Sequence, residues 1–145
     1  VTIAHTFARS YVADLAPSNR YLESGQLHMH VPEGATPTDG PSAGITMVTA
    51  LLSLALERPA RSDLAMTGEL SLTGRVLPIG GVKEKTIAAR RAGVRHIVFP
   101  KANERDYAEL PAILKKDLMP HFAQTYHDVY RVAFADELAD AAEAP

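Results

Sequence analysis

Cysteine is absent from this 145-residue chain. That excludes disulfides, thiolate zinc sites and a cysteine nucleophile, and it fits a reducing compartment. An excess of charge of one sign is also missing. The formal net charge is −2, too small to make nucleic acid or an anionic membrane the main partner. No apolar run approaches the roughly 20 residues needed to cross a bilayer, so no membrane association is expected. The amino terminus has no basic-then-apolar signal and no initiator methionine. Val1 therefore reads as the start of a fragment from which any targeting segment has been removed. What is present is ordinary for a globular domain: 46% hydrophobic and 22% charged residues. At this length roughly two thirds of the unfolded chain's surface can be buried, enough for one domain with a real core.

Periodicity predicts alternating helices and strands. Ile3, Phe7, Tyr11 and Leu15 recur at helical spacing, and Ala16-Pro17-Ser18-Asn19 ends that helix. Leu27, Met29 and Val31 alternate with His28 and His30 as in a strand, and residues 32–40 form a loop. From Ser42 to Glu57 apolar residues lie on all sides, which predicts a central buried helix closed by Pro59. Leu64 to Leu72 alternates as one strand, Thr73-Gly74 turns, and Arg75 to Ile79 returns as a short strand. Lys83 to Ala92 is a helix with Gly93 as its stop. Val94 to Phe99 is a strand, Asn103 can cap a short helix, and a last helix runs through Tyr130 and Phe134. The class is mixed α/β in a single domain.

Two motifs carry chemistry. Gly40-Pro41-Ser42-Ala43-Gly44 follows an acidic turn and sets Ser42 at the start of the apolar helix. A serine hydroxyl needs a neighbouring base to become a nucleophile, and its oxyanion intermediate needs fixed donors. A helix start supplies unpaired backbone N–H groups and a favourable dipole, so the amides of Ser42 and Ala43 are candidate oxyanion donors. Gly40 and Gly44 would admit a substrate backbone. Ser42 could equally be a simple N-cap, and Asp39 a turn residue. The second motif, Pro78-Ile79-Gly80-Gly81-Val82-Lys83-Glu84-Lys85, opens another helix with two lysines. Two positions apart on a helix, Lys83 and Lys85 face different directions, so at most one points at Ser42. A lysine that acts as base must be neutral when it acts, which burial and the positive end of a helix both favour.

Other arrangements are weaker. His28 and His30 share a strand face, but no acid or third histidine is tied to them, so no metal is expected. Thr67 and Glu69 share a polar strand face, where Thr67 could hold Lys85 by a hydrogen bond. Gly80-Gly81 lacks the rest of a phosphate-loop motif. Arg90 and Arg91 with Lys85 read as a helix face. Gly40 to Gly44 also satisfies G-x-S-x-G, the nucleophile elbow of α/β-hydrolases, with Asp106 or Asp117 and His121 or His127 as possible partners. The stretch before Ser42 is a poor strand, however, and the chain is short for that fold.

Taken together, His28 to Pro37, Asp39 to Gly44, Ala65-Met66-Thr67-Gly68-Glu69 and Leu77 to Lys85 resemble the proteolytic domain of the ATP-dependent Lon protease family. The resemblance runs from the first helix to about Phe134. It implies a ribosomal-protein-like α/β fold with a central buried helix, residues 1–135 forming an N-terminally truncated proteolytic domain and 136–145 an acidic tail. It implies that Ser42 is the nucleophile and Lys85, the second lysine of its motif, the base. Thr67 would orient the lysine amine, with Asp39 and His30 near the site. The implied activity is that of a serine endopeptidase with a Ser-Lys dyad. It belongs to an ATP-dependent machine that degrades misfolded and regulatory proteins in protein quality control. The resemblance implies no cofactor or metal in this chain, with ATP and Mg bound by an AAA+ ATPase domain outside it. Assembly would be a homo-hexamer, with unfolded or damaged proteins as substrates. Thr6-Phe7-Ala8-Arg9, Ala50 to Ala55 and Lys85 to Ala89 look closer to the eukaryotic mitochondrial type, which implies the mitochondrial matrix rather than the cytoplasm. A non-catalytic assembly or binding module of the same fold remains the other class of function.

Overall fold

A computed structural model describes residues 2–24 and 43–135. The strand expected over Leu27 to Val31, the loop after it, the acidic tail, and His30, Asp39 and Ser42 lie outside the described residues.

The first helix, α1 (Thr2–Leu15), forms where periodicity places it, but it buries a different face. Ile3 and Leu15 are 47% and 42% exposed, whereas Ala4, Ala8 and Val12 are buried. Small side chains at i, i+4 and i+8 let α1 lie close against the central helix. Phe7 and Tyr11 pack beside that contact, each edge-on to the ring of Tyr126. A four-residue helix, α2 (Tyr21–Ser24), follows.

The central helix is α3 (Gly44–Leu56). Ile45, Val48, Leu51, Leu52 and Ala55 are buried, as an apolar helix requires, while Leu54 is 53% exposed. The helix ends before Pro59. Glu57 adopts a left-handed conformation (φ 51°), and the N–H groups of Glu57 and Arg58 donate to the carbonyls of Leu54 and Ser53.

The single strand expected over Leu64 to Leu72 is two strands in two sheets. β1 (Leu64–Met66) pairs with β4 (His96–Pro100) in parallel, Leu64 opposite His96 and Met66 opposite Val98. The Thr67 amide still donates to the Val98 carbonyl at 3.1 Å. The chain then leaves that sheet at Gly68. β2 (Glu69–Leu70) pairs antiparallel with β3 (Val76–Leu77) in a separate hairpin. Alternation in sequence continues through the break because both strands put one face on the same core.

Next come α4 (Val82–Arg91), stopped by Gly93 as expected, and then β4, α5 (Glu104–Ala108) and α6 (Ala112–Lys115). β5 (Met119–Ala123) pairs in parallel with β4 and completes a sheet of order β1-β4-β5. The final helix is α7 (Tyr126–Ala133). Its start is held by Asp128, whose carboxylate accepts from the backbone amides of Gln124 (2.9 Å) and Thr125 (3.2 Å).

β4 is buried along its whole length and faces two cores. Val98 joins α1, α3 and α7 in one, with Tyr126 fully buried at its centre. Ile97 and Phe99 point the other way and join Val82 and Ala89 of α4 and Tyr107 of α5. The result is a mixed α/β domain with helices on both faces of a small parallel sheet. Asn103 occupies the position before α5, but its side chain makes no cap bond to that helix. It bonds instead to the backbone of Ile79 and to Asp106.

Candidate active site

The start of α3, the end of β1 and one face of α4 converge on a cavity of about 360 Å³. α3 contributes Ala43 and Thr46, and β1 with its exit contributes Ala65, Met66 and Thr67. α4 with its C-cap contributes Lys85, Ala88, Ala89 and Ala92. The α4 residues fall at i, i+3, i+4 and i+7, one stripe of a helix. Three of the four are alanine, so the wall is apolar and low, and Lys85 supplies the ionisable group among the described lining residues. Lys85 is half-buried, whereas Lys83 is exposed. Residues two positions apart on a helix differ by about 200° in direction, so a face that turns Lys85 to the cavity turns Lys83 to solvent. The sequence predicts that the two diverge; packing of Val82, Thr86 and Ala89 against the core selects which one turns inward.

Thr67 is buried. It sits where β1 ends, held by the hydrogen bond that its backbone N–H donates to the Val98 carbonyl. Two residues beyond β1's end the backbone also anchors α3. The amide of Ile45 donates to the carbonyl of Gly68 at 3.2 Å, taking up one of the donors that a helix start leaves unpaired. Gly44 is needed here for its own chain. A Cβ at Gly44 would stand 2.9 Å from the Leu70 amide nitrogen and 3.2 Å from Leu70 Cβ. The N-cap position of α3 falls on Ala43, whose side chain makes no cap bond, so the capping position lies one residue after Ser42.

The partners proposed for a nucleophile elbow are scattered. His121 Nε2 is bonded to His96 Nδ1 at 3.0 Å, and Tyr11 Oη to His127 Nδ1 at 2.8 Å. The Asp106 carboxylate accepts from Asn103. His121 lines a different cavity, with Lys101, Asp128 and Arg131. Burial, with His96 and Arg61 nearby, pushes its imidazole down to about 4. Asp63, beside His96, is held below the usual carboxylate range by its hydrogen bond to Arg61. The His96–His121 contact had no signal in the sequence, because strand pairing alone brings the two residues together. Among the described residues no group of three His, Cys, Asp or Glu could hold a metal ion.

The class these features define is a mixed α/β domain with a lysine-bearing cleft at the start of its central helix. The chain belongs to the Lon protease (S16) C-terminal proteolytic domain family, which it matches over residues 1–136. It is 59% identical over 133 residues to the mitochondrial Lon protease homolog of Phaeodactylum tricornutum, covering 92% of this chain and 15% of that protein. It is 58% identical over 139 residues to the mitochondrial Lon protease homolog of Homo sapiens, covering 96% of this chain and 14% of that one. The chain thus spans a small part of the curated relatives it matches.

Proposed function

We propose that this chain is the peptide-cleaving module of an ATP-dependent protease, with Ser42 as nucleophile and Lys85 as general base. The observation that carries this reading is the meeting of Lys85, Thr67 and Ala43 on one cavity, with Ser42 the residue that directly precedes Ala43. Lys85, neutral when it acts, takes the hydroxyl proton of Ser42, and the oxygen attacks the peptide carbonyl. The Ile45 amide is already taken up by Gly68. Of the amides before it, those of Ser42 and Ala43, next to the nucleophile, are assigned to the oxyanion. Lys85 then returns the proton to the leaving amine, and water that gives its proton to the neutral Lys85 amine releases the acyl group. Thr67 orients the lysine, and Asp39 and His30 support the site. In the whole protein ATP and Mg act in a separate ATPase region. The substrates are unfolded or damaged proteins, the assembly is a homo-hexamer, and the compartment is the mitochondrial matrix; the last agrees with relatives whose names call them mitochondrial.

The test uses the protein at its full natural length. Ser42→Ala and Lys85→Ala should each lower peptide cleavage by roughly 10³-fold or more while ATP hydrolysis persists. Lys83→Ala should leave cleavage nearly unchanged. Near-normal cleavage by Lys85→Ala, or loss in Lys83→Ala, removes Lys85 as the base. Covalent labelling of Ser42 by a peptide boronate separates this reading from a non-catalytic module.

A further inference from the structure

We propose that Asn103 is a positioning residue for Lys85, acting as a clamp on the loop that leads into α4; the inference rests on Lys85 being the base. Asn103 is 3% exposed and lies outside every motif that marks the site. Its carboxamide grips both backbone groups of one residue. The Ile79 amide donates to Asn103 Oδ1 at 3.0 Å, and Asn103 Nδ2 donates to the Ile79 carbonyl at 2.9 Å. The same Nδ2 donates to Asp106 Oδ2 at 2.9 Å, so both of its hydrogens are used and the amide cannot flip without losing bonds.

The place of the clamp gives it a role. Ile79 is the last residue before Gly80-Gly81, and α4 starts at Val82 with Lys85 in its first turn. A Cβ at Gly80 would meet nothing within 4 Å, and Gly81 is left-handed (φ 75°). Gly80-Gly81 is thus a stretch with little packing of its own between a fixed point and the lysine-bearing turn. With Ile79 held from both sides, the entry of α4 has one direction. With Ile79 released, the paired glycines let that first turn shift by a few tenths of an ångström. The cavity that Lys85 shares with Thr67 responds to such shifts, because a misplacement of 1 Å can cost about 10²-fold in rate. Asp106, exposed at the surface, sets the orientation of the clamp and is its outer support.

The experiment is steady-state cleavage of a short fluorogenic peptide by the full-length protein carrying Asn103→Ala, with thermal unfolding of the same samples. A positioning role predicts a fall in kcat of roughly 10-fold or more with KM within about twofold, in protein that is still folded at the assay temperature. A role in stability alone predicts a lower midpoint with kcat unchanged, and that result overturns the inference. If Asn103→Ala does not fold, Asp106→Ala decides. Its kcat should fall by roughly 2- to 5-fold with KM and unfolding midpoint unchanged; an unaltered kcat overturns the clamp. Lys85→Ala is measured in parallel. If it cleaves normally, the assignment of the base fails. If it is inactive while the Asn103 and Asp106 variants keep full kcat, the base stands and only the clamp is wrong.

Discussion

Replacing Gly44 by alanine sets two effects against each other. At an ordinary helical position alanine is favoured over glycine by about 1 kcal/mol, and less in the first turn, so the change would stabilise the protein. Gly44 begins α3 and packs on the hairpin strand β2. The new methyl carbon would stand 2.9 Å from the Leu70 backbone nitrogen and 3.2 Å from Leu70 Cβ. A backbone atom in a paired strand cannot swing aside as a long side chain can. The start of α3 must therefore move by a few tenths of an ångström, which strains the bond from the Ile45 amide to Gly68. Overpacking of this kind costs about 1–3 kcal/mol, more than the helix gains. A net loss of roughly 1–2 kcal/mol lowers the unfolding midpoint by about 3–8 °C for a domain of this size. Because Ser42 lies two residues away in the chain, cleavage should fall by roughly 10-fold even where the protein is folded. Thermal unfolding and peptide cleavage of wild type and Gly44→Ala, side by side, provide the assay. A midpoint that rises, as for a helix start open to solvent, would refute the packing argument.

Two other sites make separate predictions. His121 is held down to about 4, against an ordinary value near 6.5, so between these pH values the unfolded chain binds a proton that the native protein refuses. Stability should therefore fall as pH drops from 6.5 towards 4. The loss should be roughly 1–2 kcal/mol after allowing for solvent reaching a partly buried ring. His121→Gln, which can still bond to His96, should flatten that part of the profile in denaturant titrations at several pH values; an unchanged slope counts against it. Tyr126→Phe removes the fully buried hydroxyl that bonds Thr49 at 2.8 Å, and should cost about 1–2 kcal/mol without changing the cleavage rate of folded protein. No loss of stability on chemical denaturation would show that this bond is not needed.

Much of the fold was legible because local patterns survive folding. The apolar surround of Ile45 to Ala55 demanded a central helix, and the glycine after α4 marked its end. The residues of the proposed site stood out for the same reason: a serine and a lysine at two helix starts are properties of short segments. Illegible were the choices that depend on what a face packs against. Ile3, Phe7, Tyr11 and Leu15 have the right spacing, yet the inner face of α1 is Ala4, Ala8 and Val12, because a close helix neighbour rewards small side chains.

The amino-acid order alone determined that Lys83 and Lys85 point apart, that Ser42 precedes a buried helix, and that no thiol takes part, since these follow from helix geometry and composition. Tertiary structure decided that Lys85 is the lysine turned to the cavity, that the alternating run breaks at Gly68 into two sheets, and that Asn103 holds Ile79 rather than capping α5. Each of these joins residues distant in sequence. Spacing along a chain records directions within one element, and only packing against another element determines which direction is inward.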